Sequence, residues 1–94
     1  MEKYTVDFTN VKTRENYYNA LISGLKFPSW CGKNPDAIWD MMTGYIDYPA
    51  SITVINLNAL PKDFDEDKGI LLEMFEDLGK RYKEGKFVCK FIDN

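Results

Sequence analysis

Two carboxylates four residues apart, Asp36 and Asp40, are the residues of this 94-residue chain best placed to do chemistry, with Trp39 beside the second and Trp30 a few positions upstream. Paired acids serve three purposes: general acid–base catalysis, cation ligation, or reception of a cationic partner. Glycosidase-type catalysis is disfavoured, because two acids on adjacent helical turns provide no facing walls for a substrate cleft. The chain has no histidine, so no His-assisted nucleophile can be assembled around Cys31, and a lone thiol is usually inert. Asp63-x-Asp65-x-Asp67 has the spacing of a calcium loop, yet its glycine falls one place late at Gly69 and the twelfth position is Met74 instead of glutamate. Neither an enzyme nor a metal or cofactor site is expected. The remaining chemistry is a surface shaped to meet something cationic.

The element carrying the pair is a helix beginning at Pro35. Asn34 accepts an orphan backbone N–H as the cap, Pro35 has the φ suited to the first helical position, and Asp36 complements the dipole. Helical spacing places Ile38, Met41, Met42 and Tyr45 on one face, with Asp36, Asp40 and Thr43 opposite and Trp39 at the margin. The apolar face is expected to dock and the acids to face outward. Like charges at i,i+4 cost about 0.2–0.5 kcal/mol, so stability alone does not select this pair. Asp36 has an ordinary role at a helix N-terminus, whereas mid-helix Asp40 has none. Trp39 reads equally as packing or as an anchor. Gly32 allows close approach of a partner or, as the more general reading, a positive φ.

The run Pro28-x-Trp30-x-Gly32-x-Asn34-x-Asp36-Ala37-x-Trp39-Asp40-x-x-Thr43-Gly44, followed by Tyr45 and Tyr48-Pro49, resembles the signature of the barstar family of intracellular ribonuclease inhibitors. The resemblance implies a protein inhibitor of a basic, secreted or toxin ribonuclease, of the antitoxin or immunity type, whose acids imitate RNA phosphate in the enzyme's active site. It implies a partner-binding surface at Trp30, Gly32, Asn34, Asp36, Trp39, Asp40, Thr43 and Gly44, with Asp40 entering deepest and Asp77, with Glu76 beside it, at the rim. Trp30 stands where well-known members carry tyrosine, and Cys31 where they carry a second aromatic. The alternative is an interaction module on the same scaffold for a different toxin or a cellular partner.

Composition agrees with a binding protein and excludes several other classes. Hydrophobic residues make up 45% and aromatics 15%, so the chain is a globule rather than a disordered tail, and residues 1–94 are expected to form a single domain. The net charge of −3 disfavours direct binding of nucleic acid through a general basic patch. The acidity is concentrated: residues 36–77 hold ten acids against two lysines, a net −8 between flanks of +2 and +3. Such a field steers a basic partner and is screened by salt. Asp63, Asp65, Glu66 and Asp67 read as solvated surface.

Cys31 and Cys89 have no framework spacing and the first residues read directly as a strand, which together suggest unpaired thiols in a reducing cytoplasm. The longest uncharged run, the 14 residues Tyr48–Pro61, is too short and polar to span a bilayer. No membrane association is expected, and the chain is expected to be a monomer when free.

The flanking elements alternate. Lys3–Phe8 has the period of a strand with one wet face, Thr13-x-x-Asn16 opens a helix with an apolar stripe at Tyr17, Tyr18, Leu21, Ile22 and Leu25, and Ser51–Ile55 is a β-branched strand. Asn58 is a candidate cap for a short helix limited by Pro61. A long helix is expected from about Asp67 to Lys83 and a last strand over Lys86–Ile92, with Phe87, Cys89 and Phe91 on one face. Strands separated by helices imply an α/β fold: a three-stranded parallel sheet with helices mainly on one face.

Overall fold

A computed structural model describes residues 1–94. Strand β1 (Glu2–Asp7) is followed by helices α1 (Arg14–Gly24) and α2 (Pro35–Gly44), strand β2 (Ala50–Ile55), two short 3-10 turns, helix α3 (Asp65–Arg81) and strand β3 (Phe87–Ile92). The sheet has the order β1-β2-β3 and both pairings are parallel, with Val6 beside Val54 and Val54 beside Phe91. Period-2 alternation gives the sheet two unlike faces. Val6, Ala50, Ile52 and Val54 are buried, whereas Lys3, Thr5, Asp7, Lys90 and Ile92 are exposed. The helices therefore gather on one face, and threonine, serine and lysine cover much of the other.

Each helix is joined to this core by local chemistry. The Thr13 side chain accepts from Asn16 N at 3.1 Å and starts α1, whose Tyr17, Tyr18, Leu21 and Ile22 are buried. Tyr17 stacks on Phe8 at 5.1 Å between ring centroids, which ties α1 to the end of β1. Gly24 is required by proximity: a Cβ there would lie 2.5 Å from the Thr5 carbonyl and 2.9 Å from Val6 Cα. In α3, Leu71, Phe75 and Leu78 are buried, with acids in its first turn and Lys80 and Arg81 in its last, matching the dipole.

At the C-terminal end of the sheet Asn56 acts as a bracket. It is 7% exposed and left-handed at φ 60°. Its amide donates to Thr9 Oγ1 at 2.7 Å, its carbonyl oxygen accepts from Asn94 N at 2.7 Å, and its own N–H donates to Ile92 O at 2.7 Å. One side chain thus joins the chain leaving β1 to the chain leaving β3, and a buried amide is fully partnered.

Several boundaries differ from the sequence reading. Asn58 caps no helix. It lies within a 3-10 turn, Leu57–Ala59, and its amide reaches Asp93 at 3.0 Å. Helix α3 begins at Asp65, directly after a second 3-10 turn at Lys62–Phe64, and ends at Arg81 because Tyr82 leaves helical geometry. The Asp63–Asp67 run is consequently helical, and Asp67 is held by Arg14 at 2.8 Å. Cys31 and Cys89 are free thiols, the first buried and the second half-buried.

Candidate functional site

The α2 helix is fixed at both ends before anything binds to it. At its start Asn34 Oδ1 accepts from Ala37 N at 2.8 Å, with Pro35 in the first turn. At its end the Met41 carbonyl accepts from Tyr45 N at 2.9 Å, and the Met42 carbonyl accepts the Tyr48 phenol at 2.7 Å. Ile38 and Met42 are fully buried, so rotation of the helix about its axis would expose core side chains. This rigidity sets the direction of the outward face.

That face carries the acids. Asp36 and Asp40 are both exposed, and none of the chain's four ion pairs involves either of them. Lys33 is the one cation between Phe27 and Gly44, and it is engaged by Glu15 of α1 at 3.1 Å. The pair therefore lacks an internal counter-charge. Two carboxylates four apart repel weakly in isolation and gain most from an external cation.

Aromatic surface borders the acids. Trp30 is 75% exposed, the largest exposure among the chain's exposed large hydrophobics, while Trp39 is half-buried and packs against the core. Gly32 sits between Trp30 and the cap for steric reasons. It does not have a positive φ, and a Cβ would lie 3.0 Å from the Ala37 Cβ and 3.1 Å from Asn34 Nδ2. The reading of Gly32 as a left-handed position is thus corrected to one of close packing on the first turn of α2. Thr43 is half-buried, its hydroxyl donating to Trp39 O at 2.9 Å, and Gly44 closes the helix with open space around its Cα.

One neighbour was misjudged from spacing. Tyr45, placed by periodicity on the docking face, is 52% exposed because it lies past the last helical residue and turns its ring edge-on to Phe27, 6.0 Å away. Its position after Gly44 was the available signal. Cys31 points into the core at 5% exposure, with burial pushing its thiol pKa up. On α3, Glu76 and Asp77 are both exposed. Glu76 pairs with Lys80 at 3.4 Å, whereas Asp77 has no ion-pair partner.

The helices run side by side in the same sense. Pro35 and Ile38 line a crevice with Ile70, Leu71 and Met74, and the far ends meet where the Tyr82 phenol approaches the Thr43 carbonyl at 3.4 Å. Asp77 is thus carried on the helix packed beside the one that carries Asp40. The comparison with known proteins agrees with this architecture: the family described as "Barstar (barnase inhibitor)" matches residues 1–93. The chain belongs to the barstar family. A protein of Bacillus subtilis (strain 168) named "Putative ribonuclease inhibitor YrdF" is 28% identical over 87 residues, which cover 89% of this chain and 92% of the relative. Barstar-family proteins are inhibitors and not enzymes. No helix is long and apolar enough to cross a membrane.

Proposed function

We propose that this chain inhibits a basic ribonuclease by placing the acidic face of α2 in the enzyme's active site, where Asp40 and Asp36 occupy positions that RNA phosphates otherwise take. The observation that carries this reading is the pair of exposed carboxylates without internal partners, held on a helix capped at both ends. An enzyme that binds RNA phosphate must present arginine or lysine there, and a carboxylate can replace the phosphate oxygens as acceptor. Trp30 covers apolar or stacking surface beside the acids, with Gly32, Asn34, Trp39, Thr43 and Gly44 shaping the loop and helix ends around them. Asp77 adds charge from α3, while Glu76 is engaged with Lys80 at the edge.

Membership of a ribonuclease-inhibitor family supports the role, and the net −8 of residues 36–77 supports electrostatic steering of a basic partner. The biological setting is that of an antitoxin or immunity protein in the cytoplasm, a monomer when free, which protects its cell from a toxin ribonuclease or from one destined for secretion.

The test is a titration of ribonuclease activity, with barnase as the first enzyme and basic ribonucleases of the source cell as the next. Stoichiometric loss of RNA cleavage is expected. A chain that binds a non-ribonuclease toxin or another cellular protein through the same face, leaving RNA cleavage untouched, would overturn the inhibitor reading in favour of a general interaction module.

A further inference from the structure

The acidic helix is short and its hold on the rest of the molecule is uneven. Ten residues are too few for a helix to persist unaided. Its last turn is therefore sensitive to whatever satisfies its carbonyls. The Met42 carbonyl accepts the Tyr48 phenol at 2.7 Å, and the Thr43 carbonyl meets the Tyr82 phenol at a longer 3.4 Å. The two phenol rings are stacked, 3.7 Å apart at an interplanar angle of 12°, and Tyr48 also stands edge-on to Phe87 at the start of β3. Tyr82 is the first residue after α3, so the stack links the end of α2 to the end of the helix that carries Asp77.

We propose that the stacked Tyr48–Tyr82 pair is a positioning device: it locks the C-terminal turn of α2 against the end of α3, so that Asp36, Asp40 and Asp77 form one preorganised acidic surface. The proposal rests on the inhibitor reading above for its purpose, but its mechanism concerns the free chain. Neither ring has to touch a partner. The effect on binding comes from rigidity, since a helix held in its bound orientation loses less conformational freedom on association. Burial and the neighbouring Tyr82 push the Tyr48 pKa up, which keeps its phenol a donor throughout the physiological range.

The experiment uses Tyr48→Phe and Tyr82→Phe, which keep the rings and remove the hydroxyls. The first readout is residue-resolved amide exchange in the free chain, at the Tyr45 and Ile46 amides that donate to the Met41 carbonyl, with α1 amides as the internal reference. Tyr48→Phe is expected to accelerate exchange at the end of α2 by roughly two- to tenfold, the range set by one net hydrogen bond, with α1 unchanged. Tyr82→Phe, which loses the longer contact, should have the smaller effect. Unchanged exchange in α2, or the same acceleration across the whole chain, would overturn the proposal.

The second readout is the Kd for barnase in a cycle of Tyr48→Phe with Asp40→Ala. Positioning predicts weakening of roughly two- to tenfold when Asp40 is present and a clearly smaller weakening when it is absent, since only Asp36 and Asp77 then remain to be positioned. Equal weakening in both backgrounds would show a structural role without a positioning one. Should the unsubstituted chain fail to bind barnase, that target assignment fails alone, and the exchange readout still decides the positioning claim.

Discussion

Replacing Asp40 by alanine should separate binding from folding more cleanly than any other single change. In the free protein the Asp40 side chain is exposed and makes neither an ion pair nor a hydrogen bond, so its removal costs no native contact. Alanine is a better helix former than aspartate by up to about 0.7 kcal/mol, and relief of the repulsion from Asp36 adds about 0.2–0.5 kcal/mol. A domain of this size shifts its Tm by about 4–8 °C per kcal/mol, so Asp40→Ala should raise the Tm by a few degrees. In a complex the same truncation leaves the enzyme's desolvated cations without a counter-charge. Losses of that kind are about 2–5 kcal/mol or more, a general range that draws in part on a complex from this family. The paired assay is a thermal melt of the free variant and an inhibition titration against the ribonuclease. A lowered Tm with undiminished inhibition would show that Asp40 is structural and that the site lies elsewhere.

Four further outcomes follow from particular contacts. Association with a basic ribonuclease should slow by about tenfold or more between about 0.01 M and 1 M salt, as the Debye length shrinks from about 30 to 3 Å; a stopped-flow rate insensitive to salt would count against acidic steering. Asn56→Ala removes the bracket between Thr9 and the Asn94 amide and should destabilise the fold by about 1–3 kcal/mol in denaturant melts, with its effect on inhibition confined to the loss of folded protein. Gly24→Ala should lower stability by more than the roughly 1 kcal/mol that alanine ordinarily gains over glycine in a helix, because its Cβ would collide with the Thr5 carbonyl; a stabilised variant would contradict that close approach. Burial pushes the Cys89 thiol up to about 12 from an ordinary value of 9.0, so the folded state prefers the protonated thiol. That contribution is intact below pH 9 and is lost as pH rises from there towards 12, which a pH series of chemical melts with Cys89→Ala as control would detect.

The sequence made the central helix legible because its signals are local. Asn34, Pro35 and Asp36 act within one turn of backbone, and the buried Ile38 and Met42 follow from the helical period alone. The sheet was equally readable, since β-branched β2 and two alternating flanking strands leave few ways to pair. What escaped depended on contacts across the fold. Tyr45 fits the apolar period but stands outside the helix that defines the period. The segment from Asn56 to Phe64 is organised by a left-handed asparagine whose partners, Thr9 and Asn94, are far away in sequence. The constraint on Gly32 arises from Ala37 and Asn34, two residues of the helix it precedes. The freedom of Asp36 and Asp40 was also invisible, because it depends on Lys33 being drawn to Glu15 on another helix. The Tyr48–Tyr82 stack, 34 residues apart in sequence, carries no local signature.

Amide chemical-shift mapping on addition of the enzyme decides whether the α2 face meets the ribonuclease. Large perturbations are expected over Trp30–Gly44 and at Asp77, with the open face of the sheet around Thr5, Thr53 and Lys90 unaffected. Perturbations centred on that open face, with Asp36 and Asp40 silent, would contradict that expectation.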